Sequence, residues 1–411
     1  MLTLKLAWRN LWRHKRRTWL TAMAMIFSNM LLVFSISLQL GQYDMMIGNT
    51  LKMFSGNLQI QQQGYLDAPK LDRTVSDINT LVSSLRQRTP YRYAARASTF
   101  ALASSQERTF GIQITGVEPE FEPQVTALSG LVSEGRYLNS SSAPEIVLGK
   151  VMAKNLKVSL GDEVTLLGSG KDGSFAAGIV TVAGIFDSGL SDADRAMALV
   201  GLNYFQETFA MRGDGHSIVV SLDTLEGDVD ATQQIRQQLA LLADQESKLK
   251  VHNWRALNPG LEQAIQADFT SAWFMYGVLI LLVALGVMNT QLMSVLERTR
   301  EFGVVMSLGV KPRMISALVM LESLLMGMLG LVIGVAFGGL IVLYFQHVGL
   351  YFPGMEEMAQ RFNLPGRLYP EISVLSVLMG PVVVMMFSLV ATLYPALRIL
   401  RLHPVEAMRA T

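Results

Sequence analysis

The 411-residue chain has no cysteine, only five histidines, and charged residues at just 16% of its positions. Without cysteine there is no disulfide frame and no thiolate to complete a zinc site. The histidines (His14, His216, His252, His347 and His403) are scattered, with no pair at metal-ligand spacing. Nucleophile motifs are missing too. No Gly-x-Ser-x-Gly elbow occurs, and Asp192 and Asp194 read as turn acids, not a catalytic pair. GSGKDGS, at 168–174, carries a Gly-Lys pair, but a phosphate-binding loop needs glycine where Thr165 stands and Ser or Thr where Asp172 stands. No catalytic site, cofactor site or metal site is expected in this chain.

What is abundant is apolar sequence. Half of the residues are hydrophobic, too many for an ordinary soluble protein of this length. Four stretches reach the roughly 20 apolar residues that a helix needs to cross a bilayer: 18–43 and 269–296 without a charge, about 315–345 with one acid, and 372–397. The first is too long for a signal-peptide core and no small-residue cleavage site follows it, so it is expected to be retained.

Basic residues near helix ends stay on the cytoplasmic side. Residues 1–17 carry six bases, 297–313 four and the stretch after Leu397 three, against three acids in those segments. Residues 44–268 hold 19 bases and 26 acids. Both termini are therefore expected inside, with an extracytoplasmic domain between the first two spans.

The predicted order is a cytoplasmic interfacial helix (1–17), spans at 18–43, 269–296, 314–345 and 372–397, a cytoplasmic segment at 297–313, an external loop at 346–371 and a cytoplasmic tail at 398–411. In LKLAWRNLWRHKRR, Leu4, Ala7, Trp8, Leu11 and Trp12 share a helical face while the bases take others. The first helix is thus either an element lying in the headgroup layer or a plain basic anchor. A nucleic-acid partner is not expected for a basic patch beside a span.

Residues 44–268 read as mixed α/β. NLQIQQQGY alternates like a strand, 76–88 has helical periodicity, and YRYAARASTFALAS with FGIQITGV suggests two strands about a turn. Further on, EIVLGKVMAKNLKV reads as strand then helix and 161–186 as a hairpin. HSIVVSL with DATQQIRQQLALL reads as another strand and helix, and a strand-rich insertion is expected at about 119–213. The fold class is an α-helical membrane protein with four transmembrane helices plus a large mixed α/β extracytoplasmic domain.

The stretch ERTREFGVVMSLGV, 297–310, packs four charges into five positions directly after an uncharged span. Glu297, Arg298, Arg300 and Glu301 can meet a partner while Phe302, Val305, Met306 and Leu308 anchor the same short helix against the bilayer or the third span, and Gly309 and Lys311-Pro312 would stop it. Physics alone leaves a second reading open, a re-entry turn with anchoring charges.

ERTREFGVVMSLGVKPRMI resembles the segment between the second and third helices of the MacB-type ABC transporter permeases. That superfamily carries an FtsX-like permease domain and includes lipoprotein-releasing (LolC/LolE-like) permeases, macrolide exporters and FtsX-like cell-division proteins. AWRNLWRHKRRTWLT, LESLLMGMLGLVIGVAFG and YPALRILRLHPVEAMR are similar to other parts of the same membrane domain, and NLQIQQQGY and EIVLGKVMAKNLKVSLGDEV are similar to lipoprotein-releasing permeases.

The resemblance implies that residues 297–303, including Gly303, form the coupling helix that docks on a cytoplasmic ABC ATPase dimer. ATP and magnesium would then sit on that partner, not on this chain. It further implies a second permease chain, identical or related, in the bacterial inner membrane, and contact with membrane lipids. Extraction or export of a lipoprotein or lipid toward the periplasm is one implied function. The alternative is force transmission to a periplasmic protein partner such as a cell-wall hydrolase, or ATP-linked sensing, without cargo.

Stalk helices are expected at 39–54 and 261–273. Met23, Phe27, Met30 and Phe34 of helix one form a stripe that either contacts lipid substrate or a second chain or is ordinary packing. Gly330, Gly334 and Gly338 allow close helix approach. Glu322, an acid within a span, is expected to face protein or water.

Overall fold

A computed structural model describes residues 2–13, 15–222, 228–242, 248–351 and 367–401. His14, the middle of the 346–371 loop and the tail after Arg401, with His403 and the PVEAMR signature, lie outside the described residues. The chain divides into two compact units. One holds the described residues of 2–44, 264–351 and 367–401, the other those of 45–263.

The first unit is helical. Four helices are long and apolar enough to cross a membrane: Lys15–Thr50, Pro259–Glu297, Pro312–Val348 and Val374–Leu400. The first two outrun their uncharged stretches. Charge marks where water begins, whereas a helix ends where its backbone is stopped, and no proline interrupts residues 19–68. Pro259 starts the second helix and Pro312 the third, positions where the missing N–H costs nothing. Ser373 and Ser376 form a reciprocal capping box on the fourth.

The third helix meets the first along its glycines. A Cβ on Gly330 would lie 2.7 Å from Met25 Cβ, one on Gly334 2.6 Å from Asn29 Cβ, and one on Gly338 3.0 Å from Val33 Cβ. Only hydrogen fits at this crossing.

The second unit is built on a ten-stranded sheet. Along the main path the order is β10 (Leu249–Asn253), β1 (Leu58–Gln62), β9 (Ser217–Ser221), β2 (Arg92–Ser104), β3 (Thr109–Val117), β8 (Met197–Gly201), β5 (Glu145–Gly149), β7 (Phe175–Phe186) and β4 (Val132–Gly135). β6 (Glu163–Ser169) pairs with β2 and β7. The strands of the expected insertion at 119–213 join this same sheet, through the parallel β3–β8 pair and the antiparallel β2–β6 pair.

The hairpins close where expected, Ser104 opposite Thr109 and Ser169 opposite Phe175. Helices Ile78–Arg88, Lys150–Leu156 and Asp228–Leu242 supply Val82, Leu156 and Ile235 to a core that includes Leu58, Ile60, Ala95 and Ile218. The GSGKDGS segment is the β6–β7 turn, and its Lys171 is paired with Asp214 and donates to Thr74 Oγ1 at 2.9 Å. Asp194, expected as a solvated turn acid, is instead buried in the short helix Ser191–Ala196 and accepts from the Ser188 amide and hydroxyl at 2.9 and 2.6 Å.

Candidate functional site

The second helix ends at Glu297, and after Arg298 a new helix runs from Thr299 to Ser307. Gly309 stops it with φ +94°, a backbone conformation that favours glycine, and Lys311 then leads into the third helix. One face of this short helix is apolar. Phe302 and Met306 are buried and pack with Val295, Ile315, Val319 and Ile399 from the three neighbouring long helices. Gly303 is buried on the same side.

Arg298 corrects the expectation that all four charges point to a partner. Its side chain is 12% exposed, and Nη1 donates to Glu322 Oε1 at 3.2 Å and Oε2 at 3.3 Å. Its guanidinium also lies 4.9 Å from the Phe302 ring centroid and its Nε 3.7 Å from Glu301. Glu322, 4% exposed, accepts a further bond from Asn10 Nδ2 at 2.8 Å. A carboxylate within a span is costly unless paired. Here one guanidinium and one amide supply the donors, the protein-facing environment expected for this acid.

Asn10 belongs to the N-terminal helix Leu2–Arg13, which buries Ala7 and Leu11 and exposes Leu4, Trp8 and Trp12. That exposure suits an element lying in the interface. Arg13 reaches Glu301 at 3.3 Å. The N-terminal helix, the short helix and the third long helix are thus tied at one place by Asn10, Arg298, Glu301 and Glu322. Arg300, Glu301, Val304, Val305 and Leu308 make up the outward face, with Leu308 79% exposed. Val305 and Leu308 do not pack on the third helix, which leaves the bilayer as their expected anchor; Glu297 is exposed as well.

The helix-one stripe splits. Met23 and Phe27 are exposed, at 56% and 61%, whereas Met30 and Phe34 are half-buried and Phe34 meets Phe345 edge-on at 6.0 Å. A second polar cluster was not anticipated from sequence. Tyr43 OH donates to Asp268 Oδ2 at 2.6 Å, Gln39 Nε2 donates to Tyr43 OH at 2.7 Å, and Tyr276 OH donates to Gln39 Oε1 at 3.1 Å. It joins the first and second long helices at the ends remote from Arg298. The available signal was an acid directly bordering an uncharged run.

Comparison with known proteins places these features. The MacB-like periplasmic core domain family matches residues 18–239, and the FtsX-like permease C-terminal family matches residues 273–404. The lipoprotein-releasing system transmembrane protein LolC of Xylella fastidiosa is 25% identical over 325 residues, covering 74% of each chain. The macrolide export ATP-binding/permease protein MacB of Campylobacter jejuni is 23% identical over 420 residues, which are 98% of this chain and 60% of that one.

Among solved structures, the periplasmic region of MacB from Actinobacillus actinomycetemcomitans superposes with a TM-score of 0.38 at 16% identity, over 54% of this chain and 97% of that one. With more than half of its length matched by the MacB-like family and its C-terminal third by the FtsX-like family, this multi-pass membrane chain belongs to the ABC transporter permeases of the LolC/LolE and MacB type.

Proposed function

We propose that this chain is the membrane subunit of an inner-membrane ABC transporter that draws on ATP hydrolysis by a separate ATPase dimer to extract or export a lipophilic substrate toward the periplasm. The observation that carries this reading is how the 299–307 helix is held. Arg298 and Phe302 are turned into the chain while Arg300, Glu301 and Leu308 remain on the outside. A short helix fixed by a buried ion pair and an apolar face moves with the helices it touches, so a displacement imposed on its outward face is passed to the second and third long helices.

The role printed in the name of the Xylella relative, lipoprotein release, and that in the Campylobacter name, macrolide export with ATP binding, support a lipophilic cargo and nucleotide coupling. The excess of bases in 1–17 and 297–313 supports cytoplasmic placement of the short helix and of both termini. The exposed Met23 and Phe27 support a second permease chain, identical or related, against helix one.

The test is to co-purify the chain with its ATPase and compare ATP hydrolysis in lipid nanodiscs for the wild type and for Arg300→Glu combined with Leu308→Asp. Both residues are exposed, so the variant is expected to fold normally and to lose ATPase binding and stimulation. Stimulation at the wild-type level would overturn the assignment. Stimulation by an external protein, with no lipid or lipoprotein moved, would replace cargo transport with force transmission.

A further inference from the structure

No acid precedes Asp44, whereas six bases lie in residues 1–17. Any counter-charge for these bases has to come from outside their own segment. Arg13 finds it in Glu301 at 3.3 Å. Lys5, Arg9, Lys15 and Arg16 are exposed, and none of them has an ion-pair partner among the described residues.

Three tryptophans lie among these bases. In the helix Leu2–Arg13, Lys5, Trp8, Arg9 and Trp12 follow one another at i, i+3, i+4 and i+7, so cations and indoles run side by side along one stripe. Trp12 meets Trp8 edge-on with ring centroids 6.0 Å apart, and it meets Trp19 of the first long helix at 6.5 Å. Lys15 and Arg16 open that long helix. Trp8, Trp12 and Trp19 are 45%, 40% and 47% exposed, so part of each ring is left for a further contact.

This surface is held on a fixed frame. Ala7 and Leu11 are buried away from the stripe, Asn10 donates to Glu322 at 2.8 Å, and Thr18 Oγ1 donates to the Leu11 carbonyl at 2.7 Å across the turn between the two helices. Charges presented in this way lose less freedom when an anion gathers them.

Charge and place decide the occupant. The surface adjoins the end of a helix long and apolar enough to cross a membrane, where tryptophans settle at headgroup level. Lysine and arginine donate to phosphate oxygens, and an indole N–H adds a neutral donor while its ring packs on apolar atoms. A soluble polyanion would meet the bases and leave three half-exposed indoles in water. An anionic phospholipid meets both.

We infer that Lys5, Arg9, Lys15 and Arg16, with Trp8, Trp12 and Trp19, bind the headgroup of an anionic phospholipid in the adjoining leaflet. The assignment needs only a chain that spans a membrane; it is independent of cargo and of the ATPase.

In the experiment the full chain, purified in mild detergent, is titrated with phosphatidylglycerol or phosphatidylcholine and the bound lipids are counted by native mass spectrometry. Saturable binding of phosphatidylglycerol, in preference to phosphatidylcholine, is expected. Each base near a membrane surface is worth about fivefold in affinity for anionic lipid, so Lys5→Gln with Arg9→Gln should weaken phosphatidylglycerol by about twentyfold to thirtyfold and leave phosphatidylcholine unchanged. Lys15→Gln with Arg16→Gln, on the other helix, should act in the same sense. Equal affinity of the wild type for the two lipids would overturn the proposal, as would an unchanged preference in both double variants. So would displacement of the lipid by inorganic phosphate or by an acidic peptide, since the surface would then recognise a soluble anion.

Discussion

Arg298 Nη1 lies 3.2 Å from Glu322 Oε1 and 3.3 Å from Oε2, joining the turn after the second long helix to the first third of the helix Pro312–Val348. Removing one member of a buried pair strips the other of its main partner, and because Arg298 keeps Glu301 at 3.7 Å the loss falls below the roughly 3–5 kcal/mol of a fully unpaired charge, whereas replacing both with apolar residues of similar volume is often neutral. Glu322→Ala is therefore expected to lower the thermal melting point of the detergent-solubilised chain markedly, and Arg298→Met with Glu322→Leu to restore most of the loss. If the double variant melts as low as the single one, the pair is not what sets stability at this junction.

Two glycines five residues apart in the third long helix should respond with opposite signs. A Cβ on Gly334 would fall 2.6 Å from Asn29 Cβ and 2.9 Å from the Ile26 carbonyl, while a Cβ on Gly339 would meet nothing within 4 Å. Alanine gains up to about 1 kcal/mol over glycine in a helix, but overpacking costs about 1–3 kcal/mol. Gly339→Ala should raise the melting point slightly and Gly334→Ala should lower it. Equal shifts would mean that the first and third helices do not pack closely at Gly334.

His216 gives the external domain a pH dependence. It is buried, its Nδ1 accepts from the Ser98 amide at 2.9 Å, and its Nε2 lies 3.3 Å from the Leu71 carbonyl. Burial, the largest influence, together with nearby Lys171, pushes its pKa down to about 4, against the opposing pull of the Leu71 carbonyl and Asp214. The folded state thus favours neutral imidazole more than the unfolded state does. Stability is complete above the ordinary value of 6.5 and is lost as pH falls from there to about 4, by at most about 3 kcal/mol. Melting the chain between pH 7 and pH 4 should show this decline, and His216→Asn should flatten it.

Local pattern made much of this protein legible. The alternation in NLQIQQQGY became β1, and the uncharged runs lie within helices that are long enough to span a membrane. Gly330, Gly334 and Gly338 could be read as a close-packing surface from their spacing alone, although the helix they meet could not. What escaped was whatever depends on a partner distant in sequence. Arg298 looked like its neighbours until Glu322, 24 residues on, drew it inward, and nothing in the spacing of Leu308 distinguishes an anchor from an outward residue. β8 and β10 are placed by strands far away in the chain, which their own sequence does not name.

The absence of cysteine makes the proposed second chain directly testable. Leu20, Met23 and Phe27 follow one helical face of the first long helix and are 74%, 56% and 61% exposed, whereas Met25 on the other face is 1% exposed and lies against Gly330. If two copies meet closely along the exposed stripe, Phe27→Cys in native membranes should give a covalent dimer on mild oxidation, since a disulfide forms where Cα atoms come within roughly 4.4–6.8 Å. Met25→Cys should stay monomeric, since the third helix of its own chain occupies that side. Equal yields at the two positions would reflect random collision and not a seam. No cross-link with Phe27→Cys would place the second chain elsewhere and leave the stripe to lipid.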